Sequence, residues 1–559
     1  MPQALVISRA LASCAFAGVV LLRALPSIAQ EAASPAPAQP GVAARPASDP
    51  VFDILEFRVE GNSVLPEREI ERAVSPFLGE QRHFGDVEGA RKALEDVYQR
   101  AGYQTVFVDI PEQGVAGGVI RLRVIEGRVG QERVTGARYY EHGQIRAGMR
   151  ELVPGNVPDF NAMQQQLAQV NKQPDRQVAP ILTAGKVPGT VDVNLSVKDS
   201  FPLHGDLEDD NHASPFTTSN RLNASLHYDN LWQRQHSISL NYQLSPKKPS
   251  ETNVGYATYL WRFADSEDVA SAYYIRSNSK IAVVGSATIL GDAKIGGLRY
   301  IHPLGSGTSG ESSYFHALTF GIDRKAFGQT NISAQTGNVD PYPAIAYTPL
   351  SLAYGATLAR ESQTVQIGLS LASAPRGILG NSDDAFRSRR AKGGASWLDW
   401  KPSFSIDRWV SRRWALYGAF DGQYSNDALI SNEQYITGGA DSVRGYRESE
   451  VSGDRGVRGT IEVRFHPFGR PGADGRRLFY VELFGDTAQV RLVDPQGPEL
   501  ATSIVDISST GFGLHAQGWH GVHAAIDFAK ALKDGGKGVN GYITAKGAKR
   551  VEASAGVSF

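Results

Sequence analysis

From residue 201 to the end of the chain, apolar and polar positions alternate one for one. In 236–242, Ile238, Leu240 and Tyr242 are apolar while Ser237, Ser239 and Asn241 are polar. In 460–466, Ile461, Val463 and Phe465 oppose Thr460, Glu462, Arg464 and His466. Val522, Ala524, Ile526 and Phe528 oppose His523 and Asp527 in the same way, and Val551, Ala553, Ala555, Val557 and Phe559 oppose Arg550, Glu552 and Ser554. A period of two puts successive side chains on opposite faces of a strand. A soluble sandwich alternates too, but its inner face is dry. Here the polar face carries many ionisable groups, which a wet lumen tolerates and a dry core does not. The pattern predicts an all-β transmembrane barrel over 201–559. Eleven strands precede a glycine-rich loop near 438–456 and five follow it, roughly sixteen antiparallel strands in all.

Upstream, the period changes. Phe52–Val59 reads as a strand closed by Gly61-Asn62, and Pro66 opens a short helix to about Val74. Asp86 is expected to N-cap a helix over Val87–Arg100, where Val87, Ala90, Leu94, Val97 and Ala101 fall at three- and four-residue spacing. Gly102 stops it, and Tyr103–Ile110 and Val119–Glu126 alternate like paired strands. The order is β-α-α-β-β over 51–127. A degenerate second copy over 128–200 has a strand at Arg128–Arg138, a helix at roughly Asn161–Asn171, and strands at Val178–Ala184 and Thr190–Lys198.

The first residues add an address. Arg9 precedes an apolar run from Ala10 to Leu22, and Ser27-Ile28-Ala29 supplies small residues for cleavage after Ala29, so 1–29 reads as a secretory signal peptide. Leu11-Ala12-Ser13-Cys14 matches a lipoprotein box only superficially, because it precedes most of the apolar run. Residues 30–50, with Pro35, Pro37, Pro40, Pro46 and Pro50, read as an Ala/Pro-rich extended linker. Cys14 is the only cysteine and leaves with the signal, which excludes a disulfide scaffold or a thiolate metal site in the mature chain. A formal net charge of −1 argues against nucleic acid as a partner.

Catalytic signatures are few. Gly305-Ser306-Gly307-Thr308-Ser309-Gly310 fits G-x-G-x-x-G literally, but a strand at Tyr314–Ile322 follows where a phosphate-binding helix would begin, so the run is expected to be a hairpin connection. His520 and His523 lie three apart with nothing nearby to complete a metal site. The expectation is no enzyme, no cofactor and no metal. The glycine-punctuated stretch Gly438-Gly439-Ala440-Asp441-Ser442-Val443-Arg444-Gly445-Tyr446 differs from these. Forty residues on, Tyr480–Ala488 alternates so that Glu482, Phe484, Asp486 and Ala488 face the lumen. A guanidinium folded into the lumen needs a partner there, and a bidentate carboxylate is its best geometric match. On spacing alone, a solvated Arg444 is the competing reading.

Val443-Arg444-Gly445-Tyr446 followed by Phe484-x-Asp486 resembles the lumenal-loop and barrel-wall motifs of the two-partner secretion outer-membrane transporters, the TpsB family of haemolysin and adhesin secretion proteins. Tyr228-Asp229-Asn230-Leu231-Trp232 resembles an early barrel motif of that family, and the two upstream copies, with Gly102-Tyr103 and Leu122-Arg123-Val124-Ile125-Glu126-Gly127, resemble its POTRA domains. The chain departs in having Ala488 where the second motif usually ends in glycine, and in a proline-rich 31–50 that disfavours the plug helix such transporters often carry. The resemblance implies that periplasmic POTRA domains bind a secreted exoprotein, that the barrel carries it unfolded to the cell surface, and that Arg444 pairs with Asp486. It also implies contact with outer-membrane lipid and with the barrel-assembly machinery during biogenesis. An assembly factor for other barrels and a passive porin are the alternatives. The first typically has more POTRA copies than two, and the second has no need of them.

Overall fold

A computed structural model of the chain describes residues 51–559 apart from 116, 216, 265, 285–286, 311, 329, 333–338, 342, 471–477, 519–520 and 539–540. The expected signal peptide, linker and any plug helix, together with His520, therefore lie outside the described residues. The chain divides into two compact units that meet between Phe201 and Pro202.

The first unit holds two modules of one connectivity. In the first, β1 (Glu56–Glu60) is followed by α1 (Glu67–Val74), α2 (Phe84–Arg100), β2 (Val106–Asp109) and β3 (Val119–Glu126). β3 lies between β1, its parallel partner, and β2, its antiparallel one. The expected single strand at Phe52–Val59 breaks at Leu55, and its first piece, Phe52–Ile54, pairs instead with Gly79–Arg82. The expected cap also shifts. α2 begins at Phe84, and Asp86 caps from within the first turn, its Oδ2 accepting the His83 backbone N–H at 2.9 Å. A carboxylate can satisfy an orphan donor from that position as well as from the N-cap. Val87, Ala90, Leu94 and Tyr98 form the buried face of α2 and pack on Val106, Val108, Ile120, Leu122 and Val124. Each large side chain buried this way contributes about 1.5–3 kcal/mol.

The second module repeats the plan with β4 (Arg128–Thr135), α3 (His142–Ala147), α4 (Phe160–Val170), β5 (Arg176–Ala184) and β6 (Thr190–Asp199) around its own apolar core. β6 lies between parallel β4 and antiparallel β5. The repeat extends to one backbone contact. Gly61 (φ +91°) sits where a Cβ would be 2.4 Å from the Val124 carbonyl oxygen, and Gly136 (φ +87°) sits 2.3 Å from that of Val197 in the same sense. Both turns need a left-handed residue without a side chain.

The second unit is a closed antiparallel barrel of sixteen strands. In order these are β7 (Leu203–Asp210), β8 (Arg221–Leu231), β9 (His236–Leu244), β10 (Asn253–Arg262), β11 (Val269–Val284), β12 (Ala287–Ser309), β13 (Ser312–Phe327), β14 (Leu350–Arg360), β15 (Gln363–Ser373), β16 (Leu398–Trp409), β17 (Trp414–Ser425), β18 (Arg455–Phe465), β19 (Leu478–Arg491), β20 (Ile504–Gln517), β21 (Val522–Ala531) and β22 (Lys549–Ser558). Eleven precede the glycine-rich loop and five follow it, as the alternation predicts. β22 closes on β7 from Ser554↔Asp210 to Ser558↔Asp206. The G-x-G-x-x-G run is largely strand: β12 continues through Ser309, and only Gly310 (φ +57°) turns toward β13. Pairing with β13 covers Gly305 through Ser309 and holds the run extended.

Outward positions are apolar and exposed, among them Leu226, Leu240, Phe404, Ile461 and Leu483, as a lipid-facing surface requires. Inward positions bury Glu462, Glu482, Asp486, Asp527 and Glu552. The sorting is sharp in β18, where Ile461 is 70% exposed and its neighbour Glu462 only 6%.

Candidate functional site

The connection between β17 and β18 runs through residues 426–454, longer than the 438–456 expected, and folds against the wall. Tyr435–Thr437 and Val451–Gly453 pair as a short ribbon, which carries the intervening segment as a loop. Gly438 (φ +105°), Gly439 (φ +113°) and Gly445 (φ +88°) provide the left-handed turns at its ends and tip.

Arg444, 6% exposed, is bound on three sides. Its Nε and Nη2 donate to the two oxygens of Asp486 at 2.8 and 2.9 Å, and its backbone N–H donates to Asp486 Oδ2 at 3.1 Å. Nη1 donates to Glu482 Oε1 at 2.6 Å, and Nη2 lies 2.9 Å from Glu462 Oε1. The guanidinium stacks on the ring of Phe484, with Cζ 3.6 Å from its centre. The alternation of β19 dictates this arrangement: Glu482, Phe484 and Asp486 stand on one face at every second residue. Glu462 arrives from β18, where it is the register partner of Phe484. Arg464 meets Glu462 at 2.5 Å and Asp407 at 3.0 Å, and His515 lies 3.4 Å from Glu482 and 3.1 Å from Asp527. The carboxylates outnumber the cations, so Arg444 is held from several directions and its removal leaves buried acids uncompensated.

The remaining motif residues fix the backbone around the guanidinium. Val443 is buried among Tyr446, Val451, Ala488, Val490, Ile507 and Ala531. Gly445 donates its N–H to Glu552 Oε1 at 3.1 Å, and a Cβ there would sit 3.0 Å from that of Ala529. Tyr446 is 0% exposed, and its hydroxyl donates to the Lys533 carbonyl at 2.7 Å, with the Ser508 carbonyl 3.0 Å away. The structure thus brings all six expected residues, Val443, Arg444, Gly445, Tyr446, Phe484 and Asp486, to one patch of wall.

Other anchors are not visible from spacing. Glu450 accepts from Arg447 N (2.8 Å), Gly536 N (3.1 Å), Thr544 N (3.1 Å) and Thr544 Oγ1 (2.6 Å), which ties the loop to the β21–β22 connection. Glu433 takes Lys325 Nζ of β13 at 2.6 Å and the hydroxyl of Tyr347. Asp454 accepts from Arg390 Nη1 (2.6 Å), Leu429 N (2.9 Å) and Val493 N (2.6 Å), so three connections converge on one carboxylate. Alternation could have nominated Glu482, one face-repeat further from Asp486 than Phe484. Glu433, Asp454 and Arg390 lie outside the alternating strands, where no period announces them.

Comparison with known proteins places this geometry. Residues 52–127 match the family described as POTRA domain, ShlB-type. Residues 189–473, just over half of the chain, match haemolysin secretion/activation protein ShlB/FhaC/HecB. The outer membrane transporter CdiB of Dickeya dadantii is 24% identical over 457 residues, 76% of this chain and 74% of that protein. CdiB of Escherichia coli is 24% identical over 440 residues, 76% of this chain and 70% of that protein. The solved structure of CdiB from Escherichia coli shares the fold with a TM-score of 0.63 at 19% identity, over 100% of this chain and 97% of that one. BamA from Haemophilus ducreyi lacking POTRA domains 1–3 shares it at 0.51 and 14% identity, over 91% of this chain and 100% of that one. With a ShlB-type POTRA domain, a sixteen-stranded barrel and a family match over more than half its length, the chain belongs to the haemolysin secretion/activation family ShlB/FhaC/HecB, the two-partner secretion (TpsB) transporters of the bacterial outer membrane.

Proposed function

We propose that this chain recognises one secreted exoprotein in the periplasm through its two β-α-α-β-β modules and passes it unfolded through the barrel to the cell surface. The observation that carries this reading is the lumenal loop itself, fastened to the inner wall by Arg444 on Asp486, Glu482 and Glu462. A passive pore does not need a loop held by so many buried charges, whereas a transporter that opens for a cargo does. Among the described residues each module sheet has outer strands, β1 and β2 in the first and β4 and β5 in the second, that pair with another strand on one side only; Glu95, Asn156 and Asn171 meet part of the outer edges of β2, β4 and β5, which leaves β1 the most open. Such an edge accepts an extended segment by backbone hydrogen bonds that read little sequence. The chain carries no nucleotide-binding motif, so directional bias comes from the cargo folding outside. In this reading Val443, Arg444, Gly445 and Tyr446 hold the loop in register, and Phe484 and Asp486 receive it.

The test is export in a Gram-negative host that expresses a neighbouring large exoprotein with and without this chain. Cargo on the surface or in the medium only when the chain is present supports the proposal. Cargo left in the periplasm, with the barrel assembled, favours an assembly factor instead. Arg444→Ala is expected to cut export per folded barrel at least tenfold while barrel abundance stays within about twofold, and equal export per barrel would refute the role given to Arg444.

A further inference from the structure

The lumen wall carries a second group of donor atoms, remote in register from the Arg444 site. His204 on β7 and His227 on β8 are direct cross-strand partners, with ring centroids 4.9 Å apart. Asp229 follows two positions after His227, on the same face, and its Oδ2 lies 3.6 Å from His227 Nε2. Leu207 and Leu226, exposed to lipid, have the opposite parity, so these three side chains face the lumen. One ligand atom from each of the three lies within 4.8 Å of the others.

That spacing suits a metal. A tetrahedral zinc ion with bonds of about 2.0–2.2 Å needs ligand atoms about 3.3 Å apart, within reach of partly exposed side chains by small rotations. Cross-strand pairing supplies the rest, because directly opposed Cβ atoms stand about 4.5–5.5 Å apart and hold the two imidazoles side by side. Ser237 Oγ donates to Asp229 Oδ1 at 2.5 Å, which orients the carboxylate and leaves Oδ2 toward His227. Such a hydrogen bond behind a ligand is a regular feature of metal sites. Arg262 of β10 also interacts electrostatically with Asp229, and a divalent ion would compete with it for that carboxylate. The neighbouring lumen-facing acids Asp206 and Glu208 add negative potential, partly met by His523 at 3.8 and 3.4 Å. Among the described residues the other cluster of this kind, Glu482, His515 and Asp527, belongs to the Arg444 network and its acids already have cationic partners.

We propose that His204, His227 and Asp229 bind one divalent transition metal of the zinc class through two imidazole nitrogens and one carboxylate oxygen, with the remaining position open to the lumen. Imidazole with carboxylate suits zinc, nickel or copper(II), whereas magnesium and calcium take oxygen ligands alone. The bound ion ties β7 to β8 beside the seam where β22 closes the barrel. Sequence spacing hides the site, since strand register alone joins His204 to His227.

The experiment uses the full chain in detergent micelles, without a histidine tag. Zinc titration by calorimetry is expected to show one ion per chain. The EPR spectrum with one equivalent of copper(II) is expected to show superhyperfine coupling to two imidazole nitrogens. His204→Gln and His227→Gln should each weaken zinc binding at least tenfold, while His316→Gln leaves it unchanged. Absence of stoichiometric zinc binding, coupling to fewer than two nitrogens, or unchanged affinity in the double variant His204→Gln/His227→Gln would each overturn the proposal. The first two are measured on the unaltered chain and do not depend on whether a variant folds.

Discussion

At the scale of single residues, Arg444 illustrates why charge alone is not enough. Lysine keeps the charge but offers a point donor in place of a planar fork, so it cannot engage both Asp486 oxygens and Glu482 together or stack on Phe484. Arg444→Lys is therefore expected to export nearly as poorly as Arg444→Ala, measured as surface cargo per folded barrel. Wild-type export by the lysine variant would show that charge alone suffices. Removing one partner of a buried pair costs about 3–5 kcal/mol, enough to release the loop without unfolding a sixteen-stranded barrel. Glu132 of β4 makes a separate test in the first unit. Burial raises its pKa, against the weaker pull of Arg146 3.9 Å away, and its Oε1 has no hydrogen-bond partner. The folded module then holds a proton more tightly than the unfolded one. Stability is greatest below the ordinary carboxylate range and falls as pH rises through the raised value. Glu132→Gln is expected to remove that fall, read as hydrogen-exchange protection of β4 in the intact chain between pH 4 and 8. A loss that persists in the variant would assign it elsewhere. Asp486 was legible in the sequence because β19 alternates without a break. Glu462 was not legible as a partner, because its approach depends on the register between β18 and β19.

At the scale of elements, the strands were the readable part, and their number on either side of the loop follows from alternation alone. What failed were the ends. α3 spans six residues and buries one of them, Ile145, so it leaves no periodic trace. The start of α2 was placed at Asp86 because an acid at the N-cap and one three residues into the first turn look alike in sequence, and β12 outran its glycines because pairing with β13 overrides their weak strand preference. The seam shows how one glycine serves pairing between the first and last strands. Gly205 and Phe559 exchange backbone hydrogen bonds at 3.1 and 3.0 Å, and the terminal ring lies over the glycine, where a Cβ would be 2.4 Å from it. Gly205→Val is expected to push the ring off the seam at a cost of about 1–3 kcal/mol. This should appear as a drop of several degrees in the temperature at which the folded band disappears on unboiled gels. Unchanged heat stability would mean that the ring contributes nothing to closure.

At the scale of the barrel, two unlike layers pack against the inner wall, and they make different predictions. The wall layer is the charged clamp around Arg444. The other lies toward the long connections, which in such barrels face the cell exterior. There Ile345 and Tyr347 from the β13–β14 connection, Phe386 and Trp397 from the β15–β16 connection, and Leu429 and Ile430 from the lumenal loop pack on the wall residues Val254, Ile275, Ile295 and Phe327. Phe386 stands on α5 (Asp383–Arg387), its ring centre 5.0 Å from that of Tyr347. Arg390 then stitches the layer together through Asp454, the Leu429 carbonyl at 2.7 Å and the Val493 carbonyl at 3.0 Å. A dry apolar cap resists ions more than an ion-lined clamp does, because an ion crossing it must shed water with no compensating charge. Phe386→Asp places a carboxylate in that cap and removes its largest ring contact, a change worth about 3–5 kcal/mol. Single-channel conductance in planar bilayers is expected to rise several-fold, with export of cargo retained because the Arg444 clamp is untouched. Arg444→Ala should do the reverse, lowering export with a smaller change in conductance. Equal conductance of the Phe386→Asp barrel and the wild type would place the ion barrier at the clamp and leave the apolar layer as packing only.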